Sequence, residues 1–325
     1  MGQSPDDILA RLGAYLADDL DQVDRLIHRA LESQIVLTNE VSHYLQATSG
    51  KRLRPMLTLL ASRVGGERVE AAVNAAVMVE LLHVASLLHD DVIDRASLRR
   101  GRPTVNDRWG TDVAILMADY LYSRAFSIAF EKVPAVLIAE LCRVTTAMCD
   151  GEMFQIEKHN QILTEQDYLY VIRCKTAELF SGCTRLGSAL AGASEATTSA
   201  LEHYGLEFGC AFQITDDVLD LTADPDRLGK EIGTDIACGK QTLPLIRALE
   251  KADAEDRAFL VAALNDGRAS PQVVERVVKY GGIQYAMDVA QRHARQARDC
   301  LRGLPDGPSL RFFRDLTELV VNRAY

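Results

Sequence analysis

No stretch of this 325-residue chain alternates polar and apolar residues for long enough to build a strand, whereas helical spacing recurs nearly from end to end. The spacing predicts helices over about 6–32, 34–47, 52–63, 68–95, 111–131 and 134–158. It continues over about 165–192, 195–222, 240–252, 255–265, 271–280, 284–302 and 308–323. Several starts are signalled: Thr164 with Asp167 makes a capping box, Pro271 follows Ser270 at a first turn, and Ser194 stands as an N-cap. Gly65-Gly66 and Gly281-Gly282 read as helix C-caps. Without strands an α/β nucleotide fold is excluded. Long helices with wide apolar faces predict an all-α protein, a single large helical bundle over residues 1–325 with its central helices buried all round.

Composition narrows the class. With 48% hydrophobic and 25% charged residues, the chain can bury a large core. A net charge of -10 argues against nucleic acid as a partner. Seven cysteines, an odd number without any CxxC pair, are expected to be reduced, packed thiols rather than a disulfide framework or zinc site. The N-terminus lacks an apolar signal region. The most apolar run, Ala71 to Leu88, carries Asn74, Glu80 and His83 and reads as a buried helix rather than a membrane span. A cytoplasmic protein is the expectation.

The chemistry lies at the ends of two apolar helices. Asp90-Asp91-Val92-Ile93-Asp94 and Asp216-Asp217-Val218-Leu219-Asp220 are both DDxxD. On a helix the first and last carboxylates of each row share one face, a turn apart, and repel one another. Hard divalent ions relieve that repulsion, and magnesium takes one or two carboxylates together with phosphate oxygens. Two such rows facing each other would hold a metal-bridged diphosphate. Asp18, Asp19, Asp21 and Asp24 form a third acidic group, read as the exposed face of an amphipathic helix. Asp224 to Gly229 echoes a calcium loop, but Pro225 and Leu228 break the pattern.

A diphosphate also needs fixed positive charge. Lys51, Arg52 and Arg54 supply three cations in four residues after Gly50, at a helix start where backbone N–H groups favour anions. Arg99 and Arg100 follow the first row closely, and Lys175-Thr176, Lys230 and Lys240 surround the second in sequence. His83 sits two turns before Asp90 on the same helical face.

At these residues the chain resembles the trans-isoprenyl diphosphate synthases, the polyprenyl synthetase family, and within it the long-chain octaprenyl-type enzymes. The resemblance runs over residues 20–325 and rests on GKRLRP (50–55), LLHDDVID (87–94), LRRG (98–101), KTAELF (175–180), FQITDDVLD (212–220), LGKEIGTD (228–235) and GKQTLP (239–244). It implies the isoprenoid synthase type of bundle, with a central apolar tunnel and three magnesium ions. Asp90, Asp94 and Asp216 would be direct ligands; Asp91, Asp217 and Asp220 would act one layer out or through water. Arg99, Lys175, Thr176, Gln213, Lys230 and Lys240 would contact an allylic diphosphate primer. Gly50, Lys51, Arg54, His83 and Arg100 would contact isopentenyl diphosphate. The implied reaction ionises the allylic C–O bond, lets the alkene of isopentenyl diphosphate attack, and releases a proton to the departing diphosphate. A homodimer, and delivery of the product to a membrane, belong to the same expectation. The tail from Asn322 to Tyr325 carries one cation and is given no role.

Product length follows from the first-row helix. Ala85 and Ser86 lie five and four residues before Asp90, about 6–7.5 Å deeper along the axis, and both are small. An aromatic there would form a floor. With Met78 and Val79 deeper still, a product of roughly C35 to C45, with C40 favoured, is expected. Phe126 or Phe130 closing the path would give a short farnesyl or geranylgeranyl product instead. A terpene cyclase would not need the second cation set. A non-catalytic subunit of a heteromeric synthase would carry degraded rows, and a purely structural helical protein would leave the paired rows unexplained.

Overall fold

The computed structural model describes residues 5–48, 50–64, 69–159, 161–222 and 233–322. In chain order the helices are α1 (Pro5–Tyr15), α2 (Ala17–Ala30), α3 (Val36–Ala47), α4 (Leu53–Ser62) and α5 (Glu70–Ile93). The strands β1 (Leu98–Arg99) and β2 (Arg102–Pro103) follow, then α6 (Val105–Trp109), α7 (Thr111–Lys132), α8 (Ala135–Glu157) and α9 (Glu165–Ile172). A π-helical turn, Arg173–Ala177, joins α9 to α10 (Glu178–Leu190), and α11 is Glu195–Thr222. The remainder comprises α12 (Thr234–Ala237), α13 (Leu243–Lys251), α14 (Ala254–Asn265), α15 (Pro271–Lys279), α16 (Gly282–Cys300) and α17 (Pro308–Val321). The fold is all-α, and among the described residues its one sheet is the two-stranded hairpin.

Most predicted helices occur within a few residues of their expected bounds. The Thr164–Asp167 capping box forms in both directions, Ser270 precedes a proline first turn, and the Ser194 hydroxyl accepts from the Thr197 N–H at 3.2 Å. Gly281 has φ 69° and its N–H reaches the Val278 carbonyl, as an αL helix end requires. Gly65-Gly66 lies outside the described residues.

Three expectations about the helices and their faces need correction. The helix over 6–32 is broken at Leu16, where φ is -107° and ψ 10°. The helix over 165–192 is interrupted by the π turn. The Asp18–Asp24 group is not wholly an exposed face: Asp19 is 1% exposed, bonded to Arg63 at 2.5 Å, and Asp24 meets Arg52 at 3.1 Å. Residue 19 falls on the face shared with the buried Val23 and Ile27, so its charge is satisfied by a paired arginine rather than by water.

The residues divide into two compact units. The first is Met1–Thr145, Gly182–Glu202 and Gly303–Phe313. There α5 packs most extensively on α7, then on α4 and α2. Val73, Val77, Met78, Leu81, Leu82 and Ala85 on α5 are all buried. By length and composition α5 and α7 could each cross a membrane, so the polar residues of Ala71–Leu88 do not by themselves rule out a span. Two thirds (67%) of the most apolar window of α5 is instead covered by protein, and its buried Glu80 is paired with Arg52 at 2.7 Å.

The second unit is Thr146–Ser181, His203–Arg302 and Arg314–Tyr325. One core cluster joins Tyr168, Ile172 and Ala177 to Ile214 and Val218 of α11, Leu243 of α13 and Met287 of α16. A second gathers α13, α14 and α15 around Leu249, Leu260 and Val277. No disulfide forms among the described residues, and burial pushes the thiols of Cys210 here and of Cys183 in the first unit up to about 12. The expectation of packed thiols fails at Cys142, Cys149 and Cys238, which are exposed.

Candidate active site

Each Asp row is built by one helix, and in each the middle aspartate turns inward. In the first unit Asp90 and Asp94 are partly exposed near the end of α5, while Asp91 is 4% exposed. One residue is a 100° rotation on a helix, which swings Asp91 away from the face shared by its neighbours. Its carboxylate accepts from both Nε and Nη2 of Arg99 at 2.8 Å. The hairpin makes that possible: Arg100 at φ 53° and Gly101 at φ 72° form a tight turn of left-handed residues, which brings Arg99 opposite Arg102.

A cluster of predicted phosphate contacts assembles in the same unit. Arg100 lies against Gly50 and donates to the Thr48 carbonyl at 3.2 Å. The Arg54 Nη1 stands 2.9 Å from the His83 Nε2. Burial first, then the charges of Arg54, Arg100, Arg99 and Arg52, hold the imidazole well below its ordinary value, so it is neutral and accepts from Arg54. Lys51 is exposed. Arg52 does not belong to this set: at φ 54° its guanidinium turns to Glu80 and Asp24, and it braces the loop rather than a ligand.

In the second unit Asp216 is exposed, whereas Asp217 is 5% exposed. The Tyr168 hydroxyl donates to one Asp217 oxygen at 2.6 Å and the Gln213 amide nitrogen to the other at 2.8 Å. The Gln213 amide oxygen accepts from Thr176 at 2.9 Å. Desolvation, and next the charge of Asp235, push the Asp217 carboxyl well above the usual carboxylate range. Asp220 accepts from the Thr234 hydroxyl and from the Asp235 N–H, the latter at 3.1 Å. Lys175 is held by Glu152 and by the Gln155 amide oxygen at 3.1 Å, and the Lys240 N–H reaches the Asp235 carbonyl at 2.8 Å. Lys230 and the Asp224–Gly229 segment lie outside the described residues.

Lys175 and Thr176 sit in the π turn, a distortion often found at functional positions. Sequence reading missed the turn, together with Tyr168, Glu152, Gln155 and Thr234. The traces were indirect. Gly151 and Gly209 leave room where a Cβ would meet Cys174 at 2.7 Å or Ala177 at 2.6 Å, and Tyr168 stands two turns before Lys175.

The donor set suits a hard divalent ion. Among the described residues no cage of three or more His, Cys, Asp or Glu ligands is assembled. Asp90 and Asp94 share one helical face, and a pair of carboxylates suits an ion that keeps waters and takes phosphate oxygens. Along α5, Ala85 and Met78 are fully buried and Ser86 bonds back to the His83 carbonyl at 2.8 Å. Phe126 is partly buried, and Phe130, at 73% exposure, lies on the surface of its unit.

Known proteins match over the same residues. The family model described as Polyprenyl synthetase fits residues 36–281. An octaprenyl diphosphate synthase of Haemophilus influenzae is 35% identical over 315 residues, 95% of this chain and 96% of that protein. A short chain isoprenyl diphosphate synthase of Methanothermobacter thermautotrophicus is 36% identical over 292 residues, 87% of this chain and 90% of the relative. The crystal structure of a polyprenyl synthase from Caulobacter crescentus CB15, complexed with calcium and isoprenyl diphosphate, superposes with a TM-score of 0.92 at 31% identity, covering 99% and 98% of the two chains. Two DDxxD rows on long helices and matches of this extent leave one conclusion: the chain belongs to the polyprenyl synthetase family, trans-prenyltransferases with the all-α isoprenoid synthase fold.

Proposed function

We propose that residues 1–325 act as one synthase domain, a magnesium-dependent enzyme that adds isopentenyl diphosphate head to tail onto an allylic diphosphate. The observation that carries this reading is the Gly50, Arg54, His83 and Arg100 cluster in the unit that also holds Asp90 and Asp94. A cyclase acting on one diphosphate has no use for a second anion pocket. In this reading Asp90, Asp94 and Asp216 supply metal ligands, and Asp91, Asp217 and Asp220 hold their neighbours in place. When bound, magnesium neutralises the departing diphosphate. Arg99, Lys175 and Lys240 add fixed positive charge where negative charge develops, usually the largest catalytic contribution. Lys51, Arg54 and Arg100 pin isopentenyl diphosphate, and neutral His83 fixes the Arg54 guanidinium.

The product is long, roughly C35 to C45 with C40 favoured, because Ala85 and Met78 put no aromatic in the path one to three turns below Asp90. A homodimer is part of the proposal, supported by Leu116 at 68% and Ile115 at 40% exposure on α7. The product's apolar tail suits delivery to a membrane.

Incubating purified protein with isopentenyl diphosphate and five-, ten-, fifteen- or twenty-carbon allylic primers, then sizing the products, tests the reading. Turnover should need magnesium and vanish with a chelator. Asp90→Ala and Asp216→Ala should each lower it at least about a hundredfold. Near-normal turnover in either variant would remove that row from the reaction.

A further inference from the structure

A buried tyrosine that no motif contains closes the hydrogen-bond chain behind the second Asp row. Tyr168, on α9, is 3% exposed, and its hydroxyl donates to Asp217 at 2.6 Å. The other Asp217 oxygen accepts from the Gln213 nitrogen, which points the Gln213 amide oxygen at Thr176. An amide can turn end for end, and what selects one orientation is the partner at each end. With one Asp217 oxygen taken by the Tyr168 hydroxyl, the other is held as an acceptor facing the Gln213 nitrogen. Without the Tyr168 bond, Asp217 can rotate and its grip on the amide nitrogen is lost.

We infer that Tyr168 is a positioning residue for the allylic diphosphate, acting through Asp217 to set which end of the Gln213 amide faces Thr176. The inference rests on the reading of Lys175, Thr176 and Gln213 as contacts of that substrate. A residue that only filled the core would affect both substrates alike, whereas one acting along this chain affects the allylic substrate alone.

Steady-state kinetics with each substrate varied separates the two. Tyr168→Phe keeps the ring and its packing and removes one oxygen. The KM for the allylic diphosphate should rise about tenfold, the usual scale for losing a partner that orients a ligand. The KM for isopentenyl diphosphate should stay within about twofold. Thr176→Val should raise the same allylic KM, and the double variant should fall short of the product of the two effects, because both break one chain. If Thr176→Val acts and Tyr168→Phe moves neither constant, or both equally, the positioning role is overturned while the subsite stands. If Thr176→Val leaves the allylic KM unchanged, the subsite reading falls and the inference with it. Should Tyr168→Phe fail to fold, Asp217→Asn carries the test. It still accepts from Tyr168 but turns an amide nitrogen toward Gln213, so the same selective rise is expected, and a rise shared by both substrates overturns the role.

Discussion

The guanidinium of Arg100 occupies the space where a side chain at residue 50 would begin: a Cβ on Gly50 would stand 2.6 Å from Nη2 and 2.7 Å from Nη1. The atoms in the way are the far end of a flexible side chain. Gly50→Ala should therefore fold with stability within about 0.5 kcal/mol of the parent, the range of ordinary surface changes. Displacing Arg100 should cost a charge-assisted contact, raising the KM for isopentenyl diphosphate about tenfold and sparing the allylic KM. Substrate-resolved kinetics beside an unfolding curve reads both parts.

Backbone, by contrast, cannot step aside. A Cβ on Gly209 of α11 would lie 2.6 Å from the Ala177 Cα and 3.0 Å from the Phe180 ring. Gly209→Ala should destabilise the protein by about 1–3 kcal/mol, the cost of forcing atoms into a packed core. Because Ala177 ends the π turn that carries Lys175 and Thr176, kcat/KM should fall as well. Urea unfolding of the variant, with activity measured at a temperature where it stays folded, checks both.

His83 sets a pH dependence whose sign is fixed by its surroundings. Burial and the nearby arginines hold its folded-state pKa well below the ordinary imidazole value of 6.5, so the unfolded chain takes up the proton first. Stability from this group is present above the unfolded value and is lost as pH falls below it, by up to about 1.4 kcal/mol per pH unit until the folded pKa is reached. Denaturant curves at pH 7.5 and pH 5.5, both roughly placed around the unfolded imidazole value, should show the loss. His83→Gln should show less of it. Equal losses in parent and variant would assign the slope to other groups.

Ala85 tests product length. It is fully buried on α5, one turn below the first row. Ala85→Phe should shorten the product to the farnesyl or geranylgeranyl class while turnover of the primer continues. An unchanged product ladder, read by chromatography, would show that the growing tail runs elsewhere.

Periodicity determined the fold class and most helix positions, because burying one face of a helix needs only the right residue types at 3.6-residue spacing. The spacing within the two DDxxD rows likewise puts Asp90 with Asp94 and Asp216 with Asp220 on shared faces, since helical geometry alone fixes that relation. What spacing could not show is which side chains are already engaged. Arg52 and Arg54 are two residues apart in one basic run, yet one braces Glu80 and the other meets His83. Asp91 and Asp217 look like their neighbours in the motif, but inward rotation commits them to Arg99 and Tyr168. The π turn, the hairpin behind Arg99 and the Tyr168 chain depend on partners up to 49 residues distant. Local spacing records which face a residue occupies; only packing decides what already fills the space beside it.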